Sequence, residues 1–296
     1  MSDAIAAGEG RTEQRRVAVI GGGVMGTGIA HAFCLAGDLV EMVDADRRRA
    51  EAGVAQVAKL LAGALRRGKL TSEAAGAARD RLAALDGIGD IAPGADLVLE
   101  AVPEQQELKT AVLGAAEARA PRLLATNTSA LSVSLLARSL ARPERLVGMH
   151  FFNPVWAMPL VEVVVGEVTA SAARDAALEL AGRIGKEAIV VRDTPGFATS
   201  RLGVALGLEA IRMVADGVAS PADIDRAMEL GYRHPMGPLR LGDLVGLDVR
   251  LDIARHLAEA LGPRFDPPEL LVQMVEEGRL GKKTGQGFYD WSDDPP

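Results

Sequence analysis

One short stretch constrains this chain more than any other. The aliphatic run Val17-Ala18-Val19-Ile20 opens directly onto Gly21-Gly22-Gly23-Val24-Met25-Gly26-Thr27-Gly28, and a helical pattern over residues 24–36 follows before Gly37. The spacing is G-x-G-x-x-G, set between a strand and a helix. There the first glycine permits a tight turn, the second lets backbone N–H groups approach a pyrophosphate, and the third allows close helix–strand packing. The helix N-terminus adds its positive dipole end. Glycine clusters also serve as plain turns, so the loop needs a second feature. It has one: the next apolar run ends at Asp44, 18 residues past Gly26, where a carboxylate accepts ribose hydroxyls. Gly21, Gly22, Gly23, Val24, Met25, Gly26 and Asp44 are therefore assigned to a dinucleotide. Asp44 repels a 2′-phosphate and favours NAD. Arg47, Arg48 and Arg49 point toward NADP, unless they form a solvated first helical turn, which is the preferred reading.

Further apolar runs follow: LVEMV (39–43), LVLEAV (97–102), LLAT (123–126), RLVGM (145–149), LVEVVV (160–165) and AIVV (188–191). Alanine-rich helical segments such as 47–67 and 104–120 separate most of them. Strand–helix alternation of this kind implies a mostly parallel sheet with helices on both faces. The pattern breaks at Asp193-Thr194-Pro195-Gly196, and no strand-like alternation follows. Ser220-Pro221 with Asp223 reads as an N-cap, a first-position proline and an acidic first turn. At about 150 residues per domain, 296 residues suit two domains. The expected organisation is a flexible tail over 1–14, a Rossmann-type α/β domain over 15–194, and an all-α domain over 195–296.

Composition removes other classes. A hydrophobic share of 48% excludes disorder. Cys34 is the one cysteine, which rules out a disulfide scaffold or a four-cysteine zinc site and fits a reducing compartment. No metal is expected. The net charge of −7 argues against nucleic-acid partners. No apolar run reaches membrane-spanning length, so no membrane association is expected. Arg15-Arg16 mimics a twin-arginine signal, but a strand and a glycine cluster come next, so a cytoplasmic location is expected.

Among the four histidines, His31, His234 and His256 have ordinary explanations in a helix, a turn and a charged helix face. His150 differs: it terminates the run Leu146-Val147-Gly148-Met149, and ligands of open α/β sheets bind beyond strand carboxyl ends. After Phe151-Phe152-Asn153-Pro154 comes Leu160-Val161-Glu162-Val163, a glutamate within an aliphatic strand that is costly to bury unless paired. A His150–Glu162 pair is a general base, the carboxylate orienting the imidazole and stabilising its cation. Equally open is an edge strand with Glu162 in solvent and His150 satisfied in the core. Ser129, in Thr126-Asn127-Thr128-Ser129 after another strand, suits a substrate hydrogen bond; on sequence alone, capping the next helix is the safer reading.

Together these motifs resemble one family. VAVIGGGVMGTGIA, LVLEAVPE, ATNTSALS, GMHFFNPVWAMPLVEVV, DTPGF, ADIDRAMELG, HPMGPLRLGDLVGLD and LGKKTGQGFYDW stand in the order found in the 3-hydroxyacyl-CoA dehydrogenases, especially the short bacterial 3-hydroxybutyryl-CoA type. The resemblance implies NAD-dependent oxidation of an L-3-hydroxyacyl-CoA, with His150 as base, Glu162 as its partner and Ser129 at the substrate hydroxyl. It implies cofactor contacts at Glu104, Lys109, Asn127, Asn153 and Lys283, and CoA contacts at Arg67 and Lys69. It also implies a homodimer through the helical domain. Ser200 departs from the family's asparagine in the substrate site; Ala130, Pro159 and Trp156 also depart. These bear on acyl-chain preference, and motivate as rivals another 3-hydroxy substrate or a non-catalytic NAD-binding protein.

Overall fold

The computed structural model describes residues 14–293, so the tail expected over 1–14 lies outside the described residues apart from Gln14. Two compact units divide between Arg192 and Asp193. The first begins with β1 (Arg16–Ile20), α1 (Val24–Leu35), β2 (Leu39–Val43), α2 (Arg47–Arg66), α3 (Ser72–Asp80) and β3 (Leu82–Ala84). It continues with β4 (Leu97–Glu100), α4 (Gln106–Glu117), β5 (Leu123–Thr126), α5 (Val133–Ala137) and β6 (Leu146–Phe151). β7 (Leu160–Val165), α6 (Ser171–Arg183) and β8 (Glu187–Arg192) complete it.

All eight strands form one sheet in the order β3-β2-β1-β4-β5-β6-β7-β8. Every neighbouring pair is parallel except β6 with β7. The strand order reverses at β1, which has β2 on one side and β4 on the other. Such a switch point opens a crevice beyond the strands' carboxyl ends. β4, β5 and β6 are buried along their whole length, which is why they read as continuous apolar runs rather than alternating ones. β3 is a three-residue edge strand, Leu-Ala-Ala, without β-branched residues, and the sequence carries no signal for it. β6 runs through Phe151, so His150 lies inside the strand rather than just past it.

Local chemistry fixes the helix ends. The Asp46 side chain accepts the Arg49 N–H to start α2. Gly23 stands at the N-cap of α1 and brings no side-chain cap, so the first-turn N–H groups are not claimed by a side chain there. Between α1 and the sheet, Ile29, Phe33, Met42, Leu97, Leu99 and Met149 build the core. Cys34 lies in it, and burial pushes its thiol up to about 12, which leaves it unreactive.

His31 is an exception within this core. It is 5% exposed, and neither ring nitrogen has a hydrogen-bond partner among the described residues. Burial, then the charge of Lys186, pushes its pKa below the ordinary 6.5. The folded state thus holds the neutral ring, while the unfolded chain takes up a proton below about pH 6.5. The stability contribution is present above that value and is lost as pH falls toward the lowered folded pKa. Replacing His31→Leu removes two unsatisfied nitrogens and is expected to raise unfolding stability by about 1 kcal/mol at pH 7.5. Urea unfolding at pH 7.5 and 5.5 checks it. The wild type should weaken more between the two pH values than the variant; equal losses would contradict this reading.

The second unit is helical: α7 (Thr199–Ala215), α8 (Pro221–Tyr232), α9 (Pro238–Val245), α10 (Leu247–Leu261) and α11 (Glu269–Glu276). Ser220 caps α8 by accepting the Asp223 N–H, with Pro221 in first position, as its sequence implies. Leu208, Ile211, Leu251, Leu257, Leu271 and Met274 share one core. Two buried aspartates organise the rest. Asp243 accepts the N–H groups of Phe288 (3.0 Å) and Tyr289 (2.9 Å) and the Trp291 indole N–H (2.9 Å). Asp225 accepts the Leu239 and Arg240 N–H groups and the Tyr289 hydroxyl, each at 2.8 Å. The Arg240 guanidinium sits 4.8 Å from the Trp291 ring centre. No helix among the described residues is long and apolar enough to cross a membrane.

Candidate active site

The glycine loop leaves β1 at the switch point. Gly21 has φ +113°, and a Cβ there would stand 2.6 Å from the Ala101 carbonyl oxygen. A Cβ on Gly26 would stand 1.7 Å from the Gly21 carbonyl oxygen, so α1 can approach β1 this closely only without one. Above Gly23 nothing lies within 4 Å. The two outer glycines are therefore demanded by packing, and the middle one faces open space beside the uncapped start of α1. That combination fits a pyrophosphate. A crevice of about 530 Å³ opens there, lined by Gly21, Gly22, Gly23, Val24, Met25 and Asp44 among others.

Asp44 follows β2 and is half-buried. Its Oδ2 accepts the Gly22 N–H at 2.7 Å, so the carboxylate also holds the loop's shape. Arg47 pairs with Glu51 (2.8 Å) and Asp86 (3.2 Å), and Arg49 approaches Asp44 to 4.0 Å. Arg47 thus belongs to the ion pairs of an exposed first helical turn, as the NAD reading requires.

β4 and β5 bring the next residues to the same end of the sheet. Glu104, just past β4, is exposed, with 35% of its side chain accessible. Its Oε1 accepts the N–H groups of Ser129 and Ala130, both at 2.9 Å. Burial pushes the Glu104 carboxyl up, but the Lys109 ammonium and hydrogen bonds from Thr128, Ala130 and Ser129 outweigh it and hold the group below its ordinary value. Ser132, not Ser129, caps α5 by accepting the Leu135 N–H, so the capping alternative for Ser129 does not hold. The structure places Lys109 beneath the site rather than on its surface: it is 1% exposed and bonds Glu100 at 2.7 Å.

The antiparallel pairing of β6 with β7 sets His150 directly opposite Glu162. His150 Nδ1 lies 2.8 Å from Glu162 Oε2. Glu162 is fully buried and β8 lies outside β7, so the solvent-exposed edge-strand alternative does not hold. With Nδ1 engaged by the carboxylate, Nε2 is the ring nitrogen suited to take a proton. The Phe152 ring packs against the imidazole at a centroid distance of 4.5 Å. Asn127 Oδ1 accepts the Phe151 N–H at 2.9 Å, tying the end of β5 to the end of β6. Asn153 is exposed immediately beyond.

The loop glycines, Asp44, Glu104, Asn127, Ser129, His150 and Asn153 thus gather at the carboxyl ends of β1, β2, β4, β5 and β6. Arg67 and Lys69 stand exposed at the end of α2. In the second unit, Ser200 lies half-buried in the first turn of α7, and Lys283 pairs with Asp248 at 2.5 Å. Sequence reasoning missed Glu100, Thr126 and Thr128, all buried. The signal was present for Glu100, a carboxylate closing the aliphatic strand Leu97-Val98-Leu99, the same cue that singled out Glu162.

Comparison with known proteins agrees along the whole chain. Residues 16–194 match the family described as 3-hydroxyacyl-CoA dehydrogenase, NAD binding domain, and residues 196–291 match its C-terminal domain. A probable 3-hydroxybutyryl-CoA dehydrogenase of Bacillus subtilis is 40% identical over 284 residues, covering 95% of this chain and 99% of its own. A 3-hydroxybutyryl-CoA dehydrogenase of Mycobacterium tuberculosis is 39% identical, covering 98% of this chain and 100% of its own. The crystal structure of (S)-3-hydroxybutyryl-CoA dehydrogenase from Ralstonia eutropha superposes with a TM-score of 0.90 at 37% identity, covering 94% of this chain and 99% of that one. With both domains matched in order and relatives aligned from end to end, this chain is a member of the 3-hydroxyacyl-CoA dehydrogenase family.

Proposed function

We propose that this protein oxidises the hydroxyl of an L-3-hydroxyacyl-CoA to the 3-keto thioester, reversibly and with NAD, with 3-hydroxybutyryl-CoA the first substrate to try. The observation that carries the reading is the His150–Glu162 pair, held in sheet register on β6 and β7, with Ser129 following the adjacent strand β5 at the same end of the sheet. NAD, when bound, supplies the acceptor for the hydride leaving C3. The chain's own residues handle the proton. His150 Nε2 takes it from the substrate hydroxyl as the C3–O bond becomes a carbonyl, and Glu162 stabilises the imidazolium that results. The Ser129 hydroxyl orients the reacting oxygen. In the reverse direction the imidazolium returns the proton to the carbonyl oxygen.

Arg67 and Lys69, exposed at the end of α2, supply positive charge for the phosphates of CoA. A homodimer through the helical unit is supported by the apolar side chains exposed there: Leu202 and Leu206 on α7, Leu241, Leu244 and Val245 on α9, and Val249 on α10. The single buried, unpaired cysteine suits the reducing cytoplasm.

Absorbance of NADH tests the reaction across CoA thioesters of C4 to C16 chain length, the matching free acids, and both NAD and NADP. The expected result is turnover of the thioesters with NAD. Equal rates on free acid and CoA ester would remove the thioester assignment, and equal rates with NADP would remove the cofactor assignment.

A further inference from the structure

Within the helical unit one buried charge has no counterpart. Arg250, on α10, is 5% exposed. Its Nη1 donates to the Gly203 carbonyl oxygen of α7 at 2.8 Å, while Nε meets no acceptor among the described residues. No carboxylate among those residues pairs with the guanidinium. Burial pushes its pKa down, yet a guanidinium starts too high to lose its proton at neutral pH. A charge inside a protein is tolerated when it is paired and hydrogen-bonded, and is costly when it is not. The described chain supplies no such partner.

The helices around Arg250 are cut away to receive it. A Cβ on Gly207 of α7 would stand 2.3 Å from Nη1, and one on Gly242 of α9 would stand 3.4 Å from Nε. Glycine weakens a helix interior, and the guanidinium explains Gly207. It does not explain Gly203, which is half-buried and where a Cβ would meet nothing within 4 Å. Open space thus adjoins the residue whose carbonyl holds Arg250. Ser200, Gly203 and Gly207 are spaced three and four apart, so small residues line one face of α7. That face runs from the first turn, where Ser200 lies half-buried, to the cation. Gly203 is one turn, about 5 Å, along the axis from Ser200.

We infer that Arg250 receives a carboxylate at the far end of the substrate's acyl chain, so that the preferred substrates are 3-hydroxyacyl-CoA thioesters of dicarboxylic acids. The inference rests on the reaction proposed above and on the substrate role expected of Ser200. From a substrate held at Ser200, a chain of a few more carbons laid along the small-residue face brings its terminal oxygens to the guanidinium. The planar fork of donors suits a carboxylate, and the pair neutralises a cation that is already desolvated. A methyl-ended chain of the same length leaves that cation unpaired.

The test uses the full chain and NADH absorbance on pairs of 3-hydroxyacyl-CoA thioesters of five to eight carbons. Each pair is matched in length, one member ending in methyl and the other in carboxylate. The quantity read is the ratio of kcat/KM within a pair. The wild type is expected to favour the carboxylate by about tenfold or more at one length at least. In Arg250→Met that ratio should fall by about 30-fold, whereas Arg250→Lys, which keeps a charge but not the fork, should lose about threefold. A wild type with no preference for the carboxylate at any length overturns the inference. So does an Arg250→Met that lowers both members of each pair equally, which would make Arg250 a clamp on α7 alone. Should Arg250→Met fail to fold by circular dichroism, Gly203→Leu fills the open space and leaves the cation in place. Its ratio must then fall by about tenfold, and an unchanged ratio ends the idea. Inactivity of the wild type on every thioester, methyl-ended ones included, would instead overturn the reaction and this inference with it, so the two failures are distinct.

Discussion

His150→Ala lowers kcat by about 10³-fold and leaves the Kd for NAD unchanged. The substitution removes the nitrogen to which the proposed reaction assigns the substrate proton, while the cofactor loop stands on β1, three strands away in the sheet order. Rate and binding should therefore separate cleanly. Glu162→Gln is the informative companion. It keeps an acceptor for Nδ1 within the 2.8 Å contact but removes the negative charge that, in the proposed reaction, steadies the imidazolium. A loss of about 10² to 10³ in kcat is expected, with the Kd for NAD again unmoved. Stopped-flow NADH absorbance reads the rates. Turnover of His150→Ala within about threefold of the wild type would make the pair structural and require another base.

Asp243→Ala should be the most damaging change outside the active site, costing about 3–5 kcal/mol of unfolding free energy. Its carboxylate is 1% exposed and accepts three donors from the C-terminal segment. Alanine would leave the Phe288 and Tyr289 N–H groups and the Trp291 indole without acceptors. The C-terminal segment packs directly against Asp243 through two glycines. A Cβ on Gly287 would stand 2.2 Å from an Asp243 carboxylate oxygen, and one on Gly281 would stand 2.2 Å from the Asp243 carbonyl oxygen. Asp243→Asn keeps one acceptor but turns an N–H₂ toward donors, so it should fall between. Trp291 is itself the reporter, since its indole is 5% exposed and touches the mutated group. Urea unfolding followed by its fluorescence gives the value, and a loss under about 1 kcal/mol would show that these bonds matter little.

How much of this was readable beforehand depended on the kind of signal. Every apolar run read from the sequence is a strand: β4, β5 and β6 are buried along their length and so show no alternation, while the edge strand β8 is legible from its branched aliphatic residues although it is mostly exposed. β3 escaped because three residues of Leu-Ala-Ala on a sheet edge carry neither length nor branching. The antiparallel reversal at β7 escaped as well. Nothing in Leu160-Val161-Glu162-Val163-Val164-Val165 distinguishes a strand running against its neighbour from one running with it. That reversal decides whether Glu162 is an exposed edge residue or the partner of His150, which is why both readings stood open. Lys109 shows a different limit. The resemblance gave its neighbourhood but not its depth, and depth follows from Glu100, whose buried carboxylate holds the ammonium inside. Asp243 and Asp225 were invisible for a related reason, since their donors lie 45 or more residues away or on another helix in the chain's folded second unit.

The His150–Glu162 contact is set by backbone pairing, not by the path the chain takes between the two strands. Gly148 with Val164, Met149 with Val163 and Phe151 with Val161 lock the register on both sides of it. Among the intervening residues Phe152 packs on the imidazole and Val155 is buried in the core, whereas Trp156 and Met158 are exposed and take no part in that pairing. Exchanges at those two exposed positions leave the strand pairing, and with it the 2.8 Å spacing of His150 and Glu162, untouched. Within a few residues of each other, this chain thus separates a part that diversification must preserve from a part that protein engineers can graft.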